Sequence, residues 1–387
     1  MIIIYAISLI LLLAYIVVLL RYCRGWIQLS EHKTPDRKTK TGVSIIIPCR
    51  NEGKNISTCL EKISKLDFPR GQFEIIVVDD HSTDDTGNLA QLFFKSNPAL
   101  DGRVIPLAKA NQGGKKEAIS LGVEVSKNPL IVTTDADCLV PPSWLKSGVS
   151  FYEQTGAKMI AAPVTISPSN SFIQELQELE ILGLQAVAGA SIQLAQPVLC
   201  SGANLFYEKE AFRAVGGYND NAQIKSGDDL FLLQKVRKKY PGLVKFLKTR
   251  DACIQTAHSS STRDFVKQRK RWVSKVIYIP DATTIAVAFI VYLTNLLLII
   301  DLALWALLPD FNGSLLIITF GVKALTDFWF LHLATSFFGR GYLMRSFVLA
   351  ELFYIIYVTV IGVLGNIAKY NWKGRSSGQG MFLNNNS

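Results

Sequence analysis

The sequence predicts an α/β domain with a doubly wound, largely parallel sheet, Rossmann-like in its winding, joined to several transmembrane helices. Three observations carry that expectation. From Gly42, short β-branched runs alternate with helical stretches. Four apolar runs approach membrane length. Acidic motifs sit where the strands end, which is where such sheets collect ligands. Composition agrees: 49% of the 387 residues are hydrophobic and the mean hydropathy is +0.25, together too apolar for an ordinary soluble protein, yet 19% are charged.

Val43–Ile47, Phe73–Val78, Arg103–Leu107 and Leu130–Thr134 read as strands, and Asn55–Lys65, Asp84–Lys95, Lys115–Val125 and Pro141–Thr155 as the helices between them. Beyond Ala157 the alternation weakens. Phe172–Leu194 reads as a long helix, acidic early and apolar later, suited either to a membrane surface or to an ordinary core. Ile2–Leu20 is almost wholly apolar and, at about 1.5 Å per residue, matches the hydrocarbon thickness. It lacks the basic start and the small-residue cleavage site of a signal peptide, so an anchor is expected. Ile285–Leu308, Leu315–Phe338 and Phe347–Ala368 are further candidate spans; Lys323 and Asp327 in the second of them lie four apart on one helical face, where they can pair. The expected organisation is an anchor at 1–24, a globular domain at 42–275, a membrane region at 281–370 with two or three spans, and a tail at 371–387.

The net charge of +10 is concentrated beside the apolar runs, at Arg21, Arg24, Lys33, Arg37, Lys38 and Lys40 and again at Lys267, Arg269, Lys270, Arg271 and Lys275. That placement predicts a multi-pass integral membrane protein with a cytoplasmic central domain, and no recognisable nucleic-acid module accompanies it. Topology is not fixed by charge alone. If all four runs cross, Lys369, Lys373 and Arg375 end outside, against the positive-inside tendency; if the third does not, Arg340 and Arg345 do. The six cysteines and four histidines show no metal-binding spacing, so reduced structural thiols are expected.

The chemistry-bearing motifs follow in order: Pro48-Cys49-Arg50-Asn51-Glu52 and Asp79-Asp80 after strands, Asn111-Gln112-Gly113-Gly114-Lys115, Asp135-Ala136-Asp137 after a strand, Ser201-Gly202-Ala203-Asn204, Ser226-Gly227-Asp228-Asp229, and Gln268-Arg269-Lys270-Arg271-Trp272. Asp135 and Asp137 put two carboxylates on one side of an extended segment, suited to a hard divalent cation bridged to a diphosphate. Ser82 or Asp84 can also cap the helix after Asp79-Asp80, and the carboxylates of Asp228 and Asp229 can favour a helix start. A basic helix with an interfacial Trp is the plain reading of the last motif.

In order and context these motifs, from about Gly42 to Trp272, resemble glycosyltransferase family 2. The resemblance implies a GT-A nucleotide-diphospho-sugar transferase fold, inverting transfer, and a Mg or Mn ion. It implies that Pro48, Arg50, Glu52, Asp79, Asp80, Lys115 and Asp135 bind the nucleotide-sugar, and that Asp137 with Asp135 holds the metal. By the same resemblance Asp229, with Asp228 beside it, acts as general base, and Gly202, Asn204, Gln268, Arg271 and Trp272 meet acceptor or diphosphate. Asp228 departs from the Glu-Asp pair common in the family and shortens its reach. The expected acceptor is a lipid or lipid-linked glycan at the membrane; a processive polysaccharide synthase and a non-catalytic nucleotide-sugar-binding scaffold are the alternatives.

Overall fold

The computed structural model describes the chain except residues 1, 37, 109–112, 169–170, 220–226, 260, 275–280, 368–370, 373–374 and 377–387; for residues 2, 228, 365–367, 371, 372, 375 and 376 it describes the backbone alone. Two compact units emerge: one of residues 29–167 and 191–257, the other of residues 1–28, 168–190 and 258–387.

The first unit is built on a seven-stranded sheet. Its early strands are β1 (Val43–Cys49), β2 (Phe73–Asp79), β3 (Gly102–Pro106) and β4 (Leu130–Thr133), interleaved with α2 (Ile56–Ser64), α3 (Thr86–Ser96) and α4 (Lys115–Val125). Then come α5 (Trp144–Thr155), β5 (Met159–Ala161), β6 (Val164–Ile166), β7 (Leu205–Glu208), α7 (Lys209–Ala214), α8 (Asp228–Lys239), β8 (Val244–Phe246) and β9 (Ile254–Thr256); the long α6 (Phe172–Gln193), between β6 and β7 in the chain, belongs as far as residue 190 to the second unit. The sheet order is β3-β2-β1-β4-β7-β5-β8, while β6 and β9 pair apart from it. Ile45, Ile46, Ile47, Ile75, Ile76, Val77, Ile131 and Val132 are all fully buried, so the central strands have no solvated face and their sequences run apolar without alternation.

Register then places the loops. β1 runs parallel to both its neighbours, with Cys49 opposite Asp79 and Ile46 opposite Thr133. The chain winds outward through β2 and β3 and returns to β4 on the other side of β1, so the order reverses between β1 and β4, the switch point where such sheets hold ligands in a crevice at the carboxyl ends. β7 departs from the parallel expectation: it runs antiparallel to β4 and β5, with Leu205 opposite Thr133. An antiparallel strand starts where its neighbour ends, which brings residues 202–204 beside the end of β4.

The second unit contains α1 (Ile2–Gln28), α9 (Thr262–Val273), α10 (Ala282–Leu307), α11 (Gly313–Phe337) and α12 (Phe347–Ile367). Four of its helices, α1, α10, α11 and the one ending in α12, are long and apolar enough to cross a membrane. The pairing expected within α11 is present and has further members. Lys323 Nζ lies 2.7 Å from Asp327 Oδ2 and also contacts Glu351 of α12, while Tyr15 of α1 donates to Asp327 Oδ1 at 2.6 Å. After an exposed start at Phe172 and Ile173, α6 is largely buried from Glu175: Leu179 and Leu182 pack on Leu343, and Glu175, Glu178 and Glu180 pair with Arg345, Arg340 and Arg269. Its acidic residues are therefore ion-pair partners inside this unit.

Lys323 is fully buried beside two carboxylates, so removing it alone strands them. Lys323→Met is expected to destabilise the full-length protein by about 3–5 kcal/mol. Combining it with Asp327→Asn and Glu351→Gln should restore most of that loss in urea unfolding in detergent. A single variant as stable as the parent would contradict the assignment.

Candidate functional site

The carboxyl end of β1 is stitched to that of β2 by their loops. Asn51 N–H donates to Ser82 Oγ at 3.0 Å, and Asn51 Oδ1 accepts from the Thr83 amide at 2.8 Å. Glu52 N–H donates to Thr86 Oγ1 at 2.8 Å, and Gly53 N–H to Asp84 Oδ2 at 3.0 Å. Asn51 and His81 adopt left-handed backbone, φ +54° and +59°, a conformation that persists in a non-glycine residue only where its surroundings over-determine it. Neither hydroxyl nor acid acts merely as a cap here: Asp84 holds the Thr86 amide at the start of α3 and the opposite loop together.

Asp79 and Asp80 divide the work at the end of β2. Asp79 Oδ1 accepts from the Ser82 amide at 3.0 Å and so shapes the turn into α3. Asp80 is buried, with its Oδ1 3.1 Å from His81 Nδ1 and 3.9 Å from Arg50 Nη1; Arg50 also donates to the Asp80 carbonyl at 3.0 Å. Pro48 stands opposite Val78 in the same register.

Across the crevice, the segment after β4 carries Asp135 and Asp137. Lys115, the first residue of α4, places Nζ 2.5 Å from Asp135 Oδ1; Asn111 and Gln112 lie outside the described residues. The Asp137 carboxyl is pushed up to about 6 by burial and then by the charges of Asp135 and Glu52, with Lys115 opposing. Burial, followed by the same three carboxylates with Asp137 foremost, pushes the Cys59 thiol up to about 12, so this cysteine is an inert neighbour. All six cysteines are free thiols.

Asp229 reaches the crevice through β7. Gly202 N–H donates to Asp229 Oδ2 at 3.0 Å, Thr133 Oγ1 donates to the Gly202 carbonyl at 2.9 Å, and Leu230 N–H donates to Asp229 Oδ1 at 2.8 Å. Gly227 caps α8 at φ +81°, a backbone region open to glycine, and sets Asp229 in the first turn. The Asp228 side chain and Ser226 lie outside the described residues. Asp80 and Asp137 thus follow β2 and β4, the two neighbours of β1, and Asp229, in the first turn of α8, is tied to the end of β4 by hydrogen bonds through Gly202 and Thr133.

One expected contact residue does other work. Asn204 is fully buried; its Nδ2 donates to the Pro163 and Ala252 carbonyls, each at 2.8 Å, and its Oδ1 accepts from Trp144 Nε1 at 2.9 Å. The amide is spent holding the turn before β7, and acceptor or diphosphate cannot reach it. Thr133 was missed, although a hydroxyl ending an otherwise apolar strand is a visible signal.

In the second unit, Gln268, Arg271 and Trp272 lie on α9. Gln268 Oε1 accepts from Arg269 Nη1, and Trp272, 36% exposed, stacks on the Arg269 guanidinium.

A divalent cation fits the crevice. Glu52, Asp135 and Asp137 crowd three carboxylates around one lysine, an excess of negative charge that hard oxygen ligands offer to such an ion. Among the described residues no three acidic, histidine or cysteine side chains make a complete metal site. Two carboxylates plus substrate oxygens would be the ligand set.

The family model described as Glycosyl transferase family 2 matches residues 44–216. The glycosyltransferase AglE of Haloferax volcanii is 29% identical over 48% of this chain and 58% of its own length. The undecaprenyl-phosphate 4-deoxy-4-formamido-L-arabinose transferase of Edwardsiella ictaluri is 33% identical over 28% of this chain and 32% of its own. The chain thus spans about a third to a little over half of these relatives' lengths. A solved structure of the mannosyltransferase PcManGT from Pyrobaculum calidifontis, in complex with GDP-Man and Mn2+, shares the fold at a TM-score of 0.57 and 17% identity, over 93% of this chain and 99% of that one.

The raised Asp137 carboxyl has a signed consequence. The folded state holds its proton more tightly than the unfolded chain does, so its contribution to stability is present below the ordinary value of 3.8 and is lost as pH rises to about 6. Asp137→Asn should flatten that pH dependence, keep or raise Tm in EDTA, and abolish stabilisation by Mn2+. A variant that Mn2+ still stabilises as it does the parent would remove Asp137 from the metal site.

Proposed function

We propose that this chain, residues 44–216 of which match the Glycosyl transferase family 2 model, is a membrane-bound inverting glycosyltransferase moving a sugar from a nucleotide-diphospho-sugar to a lipid or lipid-linked glycan. The observation that carries this reading is the strand-end crevice, where Arg50, Asp80, Asp135 and Asp137 follow the central strands, Lys115 at the start of α4 pairs with Asp135, and Asp229 in the first turn of α8 is held by the Gly202 amide. A GT-A fold supports it, as do a neighbour solved with GDP-Man and a relative named for undecaprenyl-phosphate.

In this reading Asp80, Arg50 and the loop at Pro48 and Asp79 hold the nucleoside, Lys115 balances the diphosphate, and Glu52 adds to the field on Asp137. When bound, a Mg or Mn ion supplies charge neutralisation for the departing diphosphate, with Asp135 and Asp137 as its protein ligands. Asp229 takes the proton of an acceptor hydroxyl as that oxygen attacks the anomeric carbon from the face opposite the phosphate. The new C–O bond forms as the bond to phosphate breaks, which inverts the centre and releases the nucleoside diphosphate. The Gly202 amide holds one carboxylate oxygen of Asp229 and so sets its direction. Asp228 supports it by charge. Gln268, Arg271 and Trp272 provide amide, guanidinium and indole for acceptor or diphosphate.

The anchor at 1–24, the transferase domain at 42–275 and the membrane region at 281–370 complete the proposal, with the four apolar helices as spans and the domain cytoplasmic. Arg340 and Arg345, which pair with acidic residues of α6, then fall on the cytoplasmic side. A C-terminal reporter active on the cytoplasmic side would contradict four crossings.

Full-length protein in nanodiscs, offered GDP-mannose, UDP-glucose and UDP-N-acetylglucosamine with dioleoylglycerol, undecaprenyl phosphate and undecaprenyl-diphosphate N-acetylglucosamine, tests the reading. A single added sugar is expected, and a ladder of products would point to a processive synthase. Asp229→Asn should lower transfer to a hydroxyl acceptor by about 10² to 10⁴ while GDP or UDP binding persists. Transfer to a phosphate acceptor, which has no proton to lose, should survive the substitution; unchanged turnover with a hydroxyl acceptor would remove Asp229 from its role.

A further inference from the structure

Arg269 stands inside the Gln-x-x-Arg-Trp motif at one of the unspecified positions, yet it is among the most buried cations in the chain, at 2% exposure. Its guanidinium is gripped on every side. Nε donates to Glu180 Oε2 at 2.9 Å and Nη2 contacts the same oxygen, so α6 holds it by a two-pronged ion pair. Its Cζ lies over two rings, 4.4 Å from the centroid of Phe265 and 4.3 Å from that of Trp272. Nη1 donates to Gln268 Oε1. Glu180 is in turn fixed by Tyr357 of α12, whose hydroxyl donates to Oε1 at 3.0 Å, and the Tyr357 ring packs on Phe265 at 5.4 Å.

Trp272 and Gln268, two of the three side chains assigned above to acceptor or diphosphate, therefore both rest on one planar cation that no substrate needs to touch. An exposed indole on a helix end has many rotamers open to it; a guanidinium locked edge-on to a carboxylate offers one flat surface. A lysine would keep the charge for Glu180 but has neither the planar face nor the fixed fork of N–H groups that meets Glu180 and Gln268 together.

We propose that Arg269 is the positioning residue of this helix: held by Glu180 and Tyr357, it sets the indole of Trp272 and the amide of Gln268 in the orientation that receives the acceptor. The inference rests on the transferase reading for its functional consequence and on the geometry of α6, α9 and α12 for its structural one.

Full-length protein labelled with 5-fluorotryptophan in nanodiscs provides the structural readout. The Trp272 line, assigned by Trp272→Phe, should be shifted and narrow in the parent. Arg269→Lys and Glu180→Gln should move it toward the solvent-exposed position and broaden it, Tyr357→Phe should do so partially, and Lys270→Ala should leave it in place. With the donors and acceptors above, Arg269→Lys should raise the acceptor KM about tenfold while KM for the sugar nucleotide and Tm stay near the parental values; that split corresponds to a misplaced contact rather than an unfolded helix. An unmoved Trp272 line overturns the proposal, as does a moved line with unchanged acceptor KM. A parent protein that transfers to none of the acceptors overturns the functional half through the transferase reading, and the Trp272 line then decides the structural half.

Discussion

The chemistry of this chain depends on β1 lying in parallel register between β2 and β4. That pairing puts Cys49 level with Asp79 and Ile46 level with Thr133, and so delivers three loops to one edge of the sheet. Hydrogen bonds then lock them: Asn51 to Ser82 and Thr83, Glu52 to Thr86, Thr133 to Gly202, and Gly202 to Asp229. Slipping β1 by one residue would exchange its isoleucines between two covered faces and separate the contacts that Asn51 and Glu52 make with the loop after β2.

The resulting crevice concentrates negative charge. Burial and the neighbouring Asp135 and Glu52 make Asp137 a reluctant anion, and Lys115 offsets only part of that repulsion. A fold tolerates such crowding where function uses it, because a cation and a diphosphate arriving together relieve the strain that either would meet alone. The same logic recurs in the other unit with the sign closed internally: Lys323 answers Asp327 and Glu351, and Arg269 answers Glu180, so those charges hold helices together.

Strands β1 to β4 and the helices between them were legible in the sequence because a sheet buried on both faces must be written as unbroken β-branched runs, each ended by polar residues. The family was legible because its acidic motifs come at those ends. The antiparallel β7 was not, since a four-residue strand bears no mark of direction. The resemblance alone makes Asn204 a substrate contact, whereas its amide braces Trp144, Pro163 and Ala252. Glu351 as a third member of the Lys323 network and the grip of Glu180 on Arg269 were invisible for a different reason: the partners stand 28 and 89 residues apart, and only the packed helices bring them together.

Anomalous X-ray scattering from Mn2+ in crystals of the full-length protein grown with GDP or UDP tests the central claim most directly. The account predicts one strong peak at the switch between β1 and β4, within about 2.0–2.3 Å of carboxylate oxygens from Asp135 or Asp137 and of the diphosphate. A peak elsewhere with the nucleotide bound away from Asp80, or nucleotide bound in the crevice with Mn2+ absent from both aspartates, would contradict it.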